Sequence, residues 1–400
     1  MIIDKILPQR PQTKKPAVCF LLASWGKTHI DQFFDLGLCS LLAPGNIPAM
    51  AQAYDCTFVF LTCPEDEQFF LQHPLFQTLE RYCRVEFIDI SDIIFKRNYS
   101  ATLTIAYERG MRSRGSAMTD TYFIYLVSDY IMADGSLRGL MRYMEEGYSG
   151  ITTGNFQVIE SEMREKLLAQ VSSDGVLSLP PRELISQALK HLHPITIGNM
   201  IDQPFSHTTH TNRLFWRVDE HTLIGRFYLR HMLCIRPEID DYIIGASCDY
   251  SYIPEMCPSG NVAAISDSDE YCVIEIQSLQ HEEHFLHYGK RSRKNMVKAL
   301  GEWATAEHRA NAHRPIVFHA GDIPPAAEKC LVESEGYVRS IEKALVTPPL
   351  PHRGHPYWLS CIEWCLYNLL ERTYFMNHYV NNVFAGLLGS PVFEPPLGTH

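Results

Sequence analysis

"YFIYLVSDYIMADGS", Tyr122 to Ser136, is the stretch on which the reading of this chain turns. Its first seven residues, Tyr122 to Ser128, make a nearly continuous apolar run of strand length, and the run ends on the carboxylate of Asp129. A strand that is apolar at successive positions is buried on both faces, as in a parallel sheet covered by helices on each side. A turn of small polar residues, Ala133 to Ser136, then leads into a helical pattern, "SLRGLMRYMEEG" (136–147). In parallel sheets ligands bind outside the carboxyl ends of the strands. Asp129 therefore stands where a site residue is expected, with Asp134 or Ser136 left to cap the helix. Such a carboxylate can hold Mg²⁺ or Mn²⁺, which in turn can hold a diphosphate.

The same alternation extends outward. "AVCFLLASW" (17–25), "CTFVFLTC" (56–63), "CRVEFIDI" (83–90) and "YSGITTG" (148–154) read as further strands, with helical patterns between them, notably 99–115. The expected fold is α/β, a mostly parallel sheet with helices on both faces, related to the Rossmann layer. Trp25, Gly26, Thr62, Cys63, Glu65, Ser128 and Asp129 fall near one rim. Residues 1–15 read as a polar leader, 16–155 as a first α/β half, 156–292 as a second half and 293–400 as a helical C-terminal region. Within the second half, 155–195 reads as helical, "LIGRFYLRHMLCIRP" as a strand, "DYIIGASCDYSYIPE" as strand-to-loop, and "NVAAISDSDEYCVIEIQS" as a strand broken by an acidic turn. Near the C-terminus Leu359, Ile362, Leu366, Leu369 and Leu370 recur at helical spacing. They predict a helix or helix pair packed on the core, with peripheral membrane contact or self-association as the other uses of such a face.

Composition narrows the classes. The chain has 400 residues, 46% hydrophobic and 20% charged, enough for a sizeable core. A net charge of -11 argues against a nucleic-acid or anionic-lipid binder, while leaving room for an anionic substrate held by a few local groups. Twelve cysteines stand at irregular spacings without a CxxC, so they read as reduced thiols packed as small hydrophobes. The N-terminus is too polar for a signal peptide, and no run of about 20 uncharged apolar residues occurs. A cytoplasmic location, with peripheral contact at the inner membrane as an option, is the expectation. Neither a dinucleotide or kinase glycine fingerprint nor GxSxG nor HExxH is present.

Three other constellations carry chemistry. Asp249, in "SCDYSYIPE", stands beside Tyr250 and near Tyr252. A carboxylate among apolar groups suits general-base work, and aromatic neighbours suit stacking on a sugar or base. Asp267 and Asp269, followed by Glu270, would point the same way on an extended backbone and could share a cation. A solvated acidic turn is the plain alternative. The histidines His191, His193, His207, His210, His221 and His231 cluster in sequence. His207 and His210 have a spacing that fits one metal, and His231 adjoins Arg230, with Arg236 further along, where phosphate could be met. Taken singly, each histidine reads first as structural.

Together, "AVCFLLASWGKTHIDQFFDLGLCSLLAPGNIPA", "CTFVFLTCPEDEQFF" and "YFIYLVSDYIMADGSLRGLMRYMEEG" resemble the nucleotide-sugar-binding half of GT-A type bacterial glycosyltransferases, over roughly residues 15 to 155. The resemblance implies hexosyl or related sugar transfer from a nucleotide-sugar donor to a hydroxyl on a glycan, lipid-linked or protein acceptor, as in polysaccharide or glycoconjugate biosynthesis. It implies nucleotide binding by Trp25, Gly26, Thr28, Thr62, Glu65, Asp66, Ser128 and Asp129. It also implies a divalent cation, Mn²⁺ or Mg²⁺, on Asp129, with Asp267 and Asp269 as weaker candidates. Asp249 would be the base if the reaction inverts. His207, His210, Arg230, His231 and Tyr250 would lie on the acceptor or phosphate side. The chain departs from the family at Val127-Ser128-Asp129, where the first acid of DxD is missing. That departure keeps two other readings open: a non-catalytic binding module of the same fold, and a metal-dependent hydrolase built on the histidines and the DSD.

Overall fold

A computed structural model of the chain describes residues 15–95, 98–203, 205–207, 212–279, 286–288 and 292–346. Its strands are β1 (Ala17–Ala23), β2 (Asp55–Thr62), β3 (Arg84–Asp89), β4 (Thr121–Leu126), β5 (Tyr130–Met132), β6 (Gly150–Thr153), β7 (Gln157–Ile159), β8 (Phe205–His207), β9 (Arg213–Arg217), β10 (Thr222–Phe227), β11 (His231–Ile235), β12 (Val262–Ala264), β13 (Val273–Gln277), β14 (Leu286–Tyr288) and β15 (Ile316–His319).

Seven of them form the central sheet, in the order β12-β6-β11-β4-β1-β2-β3. Every neighbouring pair is parallel except those of β11, which runs antiparallel to both β4 and β6. The expected mixed α/β architecture with a mostly parallel sheet is therefore what the chain adopts. Its cause is visible along β1. Val18, Phe20 and Leu22 pack with Phe33, Phe34 and Phe58 on one face. Cys19, Leu21 and Ala23 pack with Ala106, Tyr107 and Met111 of the helix Tyr99–Arg112 on the other. Each such aromatic or aliphatic side chain contributes about 2–3 kcal/mol when removed from water.

The chain runs outward from β1 to β3 and then returns to β4 on the far side of β1. The carboxyl ends of β1 and β4 thus flank a topological switch point, where α/β sheets open a crevice. Residues 156–292 add β11 and β12 to the sheet begun by residues 16–155. A second sheet, β5-β13-β7, stands beside the carboxyl rim, and β15-β10-β9 and β14-β8 are smaller additions.

Several local expectations are corrected. The residues after Asp129 do not go straight into a turn: Tyr130–Met132 form β5, because Ile131 pairs with Ile274 and Tyr130 with Glu275 of β13. The turn Ala133–Ser136 is closely packed. Ala133 and Ser136 are buried, and Asp134 accepts from Gly45 N (2.6 Å) and Ser178 Oγ (2.5 Å). The single strand read in "LIGRFYLRHMLCIRP" is two, β10 and β11, in different sheets, separated by a bend at Tyr228–Leu229. The stretch read as strand-to-loop around Asp249 is the helix Cys248–Met256, whose buried Cys248, Tyr252, Ile253 and Met256 recur at helical spacing. The helical reading of 155–195 missed β7. The helices Arg293–Trp303, Ala306–Ala312 and Ala326–Val346 bear out a helical region after 293, interrupted by β15. The leader up to residue 14 and the apolar pattern at Leu359–Leu370 lie outside the described residues. Among the described residues no helix is long and apolar enough to cross a membrane. The ten described cysteines are free, and nine are buried.

Candidate functional site

The switch-point crevice is built from strand ends. Ser24, one residue past β1, meets Ser128, two past β4, through an Oγ–Oγ hydrogen bond of 2.9 Å. Gly26 follows with φ 77°, a conformation that glycine takes without a Cβ penalty. This turn aims its amide at Asp66, whose Oδ2 accepts at 2.7 Å and ties the end of β1 to the end of β2. Thr62 Oγ1, at the last residue of β2, is buried without a hydrogen-bond partner. Trp25 is half-buried and stands 6.2 Å from Tyr99, which is 57% exposed, so the two rings form an aromatic ledge at the rim. Thr28 and Glu65 are exposed at the same ends of the strands.

Asp129 lies where the two sheets meet. Its backbone oxygen accepts from Ile276 N (3.1 Å), and its Oδ2 accepts from Gln277 Nε2 (2.5 Å). The same amide nitrogen donates to Glu275 Oε1 at 2.8 Å. Along β13, Ile274 and Ile276 face an apolar cluster, so Glu275 and Gln277 share the other face. The register sets Glu275 between Tyr130 and Gln157, and Gln157 Nε2 and Asn155 Nδ2 reach it at 3.3 and 3.4 Å. Burial pushes the Asp129 carboxyl well above the usual aspartate range, and the Glu275 charge adds to the shift. A divalent cation would relieve this pair. Two clustered carboxylates are hard oxygen donors of the kind Mg²⁺ and Mn²⁺ take, so the residues present fit a divalent cation.

His231 joins the same place. It begins β11, and Tyr130 Oη lies 3.3 Å from its Nδ1, with the rings edge-on at 5.1 Å. Burial holds the imidazole below its ordinary value, with the Asp249 and Glu275 charges pulling the other way. Asp249 stands in the first turn of the helix Cys248–Met256, exposed rather than in apolar surroundings, with Cys248 Sγ donating at 3.0 Å. Tyr250 meets Trp303 and His308 edge-on at 5.5 and 5.3 Å. Arg230 is 3% exposed, donates through Nη2 to the Arg314 carbonyl, and leaves Nε and Nη1 without partners. His207 ends β8, and His210 lies outside the described residues.

The DSD turn has its own partners. Asp269 accepts from Arg182 Nε and Nη2, and Asp267 Oδ1 pairs with His319 Nε2 at 2.9 Å. One ligand atom each from Asp267, Asp269 and His319 falls within 4.8 Å of the others, a spacing a metal could use, while Arg182 already supplies positive charge beside Asp269. Sequence reasoning missed Glu275, Gln277, Tyr99 and His319. The alternation in "VIEIQ" (273–277) carried the signal for the first two, since it sets two polar side chains on one face of a buried strand.

No family model matches the sequence, and no curated protein matches it. Among solved structures, a mannosyltransferase from Pyrobaculum calidifontis in complex with GDP-Man and Mn²⁺ is similar at TM-score 0.33 and 10% identity, over 93% of this chain and 88% of that one. A 4-diphosphocytidyl-2C-methyl-D-erythritol synthase from Anaerococcus prevotii is similar at TM-score 0.23 and 9% identity, over 35% of this chain. S. aureus TarS is similar at TM-score 0.23 and 8% identity, over 36% of this chain. The chain spans 56% of the synthase and 22% of TarS.

Proposed function

We propose that the protein is a glycosyltransferase that transfers a sugar from a nucleotide-sugar donor to a hydroxyl acceptor. The observation that carries this reading is the paired carboxylates Asp129 and Glu275, held by one amide at the switch point of a mostly parallel sheet. The missing first acid of DxD is then made good by Glu275, which comes from β13 rather than from the motif. The Trp25–Tyr99 ledge offers a stacking face to the base, and the turn fixed by Gly26 and Asp66 gives the nucleotide a rigid floor.

Asp129 and Glu275 would hold a divalent cation, which when bound neutralises charge on the leaving diphosphate. Asp249, exposed near the same cluster, takes the proton from the acceptor hydroxyl if configuration inverts. His231, kept neutral by burial, orients Tyr130 beside the carboxylates. The rate gain comes from positioning and base catalysis.

The test is turnover of a panel of UDP-, GDP- and CMP-activated sugars with and without Mn²⁺, read as nucleotide release. Cation-dependent release that is lost in Glu275→Gln is expected. Release unaffected by that variant would remove the carboxylate pair from the reading.

A further inference from the structure

Cys56 and Cys83 stand side by side at the amino ends of two neighbouring parallel strands. The register pairs Thr57 of β2 with Arg84 of β3, so the residues one step earlier, Cys56 and Cys83, oppose each other across the same edge. Both pack into one apolar cluster. Phe58 and Val85, each two residues further on, join that cluster as well, as the period of two along a strand requires. Arg84 Nη2 donates to Asp55 Oδ2 at 3.1 Å, so the cysteines sit between a ladder pair and an ion pair. The other strand cysteines lack such a neighbour: Cys19 is opposed by Thr57 and Phe123, and Cys234 by Ile124 and Ile151.

Both residues are only 4% exposed, yet a path from solvent reaches them. An open concavity of about 480 Å³ is lined by Cys56 and Cys83 together with Lys15, Tyr54, Tyr82 and Arg84. The Cys56 side chain, and after it burial, push the Cys83 thiol up, which agrees with two sulfurs within reach of each other. Cys83 therefore keeps its proton at neutral pH, and the pair rests as a dithiol. Neighbouring strands run about 4.8 Å apart, inside the Cα separation of about 4.4–6.8 Å that a disulfide spans.

We infer that Cys56 and Cys83 are a reversible dithiol–disulfide pair, closed by a small peroxide that reaches them through the concavity. The sulfur of one thiol attacks a peroxide oxygen, the O–O bond breaks, and the thiol proton leaves with the departing oxygen as water. The second sulfur attacks the resulting sulfenic acid, the S–O bond breaks, and its proton leaves in a second water as the S–S bond forms. The two thiols together lose two electrons and one peroxide is reduced. The bond closes the loop that carries the helices Glu67–Leu71 and Pro74–Glu80, and it staples β3, the edge of the central sheet, to β2. Thr62 and Asp66 lie at the other end of β2, so the cross-link leaves the carboxyl rim unobstructed.

The experiment treats the full chain, as wild type, Cys56→Ala and Cys83→Ala, with hydrogen peroxide. Remaining thiols are then blocked with iodoacetamide in denaturant, and peptides are mapped without reductant. Wild type should yield a peptide that joins Cys56 to Cys83, lighter by two hydrogens than its parts and separated again by dithiothreitol. Its melting temperature should rise by roughly 5 °C on oxidation and return on reduction, because the cross-link restricts the unfolded chain. Neither alanine variant should show that rise. Cys56 and Cys83 both recovered as alkylated thiols after peroxide treatment would overturn the inference. So would a disulfide from either of them to a different cysteine, or their oxidation to sulfinic acid without a cross-link. The mapping of wild type decides the matter even where a variant fails to fold. It reads thiols rather than turnover, so its outcome is independent of the glycosyltransferase reading.

Discussion

Gln277 Nε2 donates to Asp129 Oδ2 at 2.5 Å and to Glu275 Oε1 at 2.8 Å, so one amide nitrogen holds two carboxylates that come from different sheet connections. Asp129 comes from the link between β4 and β5, and Glu275 from β13, 146 positions later in the chain. Ionising both carboxyls beside one donor, with Asp129 already pushed up by burial, strains the site unless a cation sits between them.

Removing one of those charges should relieve the strain. A carboxyl whose folded value is raised gives stability that is fully present below its unfolded value, about 3.9, and is lost as pH rises through the folded value. Glu275→Gln should therefore melt above wild type at pH 7–8, by roughly 1 kcal/mol, and the gap should shrink as pH falls toward 4. Urea unfolding at several pH values checks this. A gap that widens toward low pH would contradict it.

Asp249 should matter to rate more than to folding. An exposed acid in the first turn of a helix contributes about 0.3–1 kcal/mol through the helix dipole, and Asn keeps the shape. Asp249→Asn is expected to lose about 10²-fold or more in kcat with donor binding retained. A fully active variant would remove Asp249 from the base role.

Gly26 should be irreplaceable for a backbone reason. A Cβ there would meet nothing within 4 Å, so the cost of Gly26→Ala is the φ of 77° alone, about 1–3 kcal/mol. If the turn relaxes, its amide no longer faces Asp66, and nucleotide binding should weaken along with stability. Unchanged stability together with unchanged nucleotide affinity would show that the turn is not part of the floor.

His319 should fasten the DSD turn as an ion pair. Its hydrogen bond to Asp267 raises the imidazole above its ordinary value and lowers the Asp267 carboxyl. The pair therefore stabilises above the unfolded carboxylate value and below the raised histidine value, and fades as pH rises through the latter. His319→Gln should flatten the fall in melting temperature of the wild type above about pH 6.5. A metal-dependent melting shift lost in the same variant would instead assign the trio to a cation.

Much of the fold was legible because doubly buried strands leave no ambiguity of face. "AVCFLLA", "CTFVFLT" and "YFIYL" could be nothing but interior strands, and their carboxyl ends follow directly. The antiparallel β11 was not legible, because register and partner choice are tertiary properties: "HMLCI" reads alike in either direction. Asp249 was misplaced because its apolar neighbours, at helical spacing, also look like the end of a strand. The position of Ser128 and Asp129 just past a strand end was legible because local sequence sets it. Glu275 was missed because its meeting with Asp129 depends on β5 pairing with β13, which no local pattern announces.

The most direct measurement is thermal unfolding of wild type, Asp129→Ala and Glu275→Gln with UDP, GDP and CMP, each with and without Mn²⁺. Wild type should be stabilised by one nucleotide in a cation-dependent manner. Both variants should lose that response while melting at or above wild type without ligand. A strongly destabilised Asp129→Ala protein that still responds to nucleotide and Mn²⁺ would make Asp129 a structural group and contradict the glycosyltransferase reading at its centre.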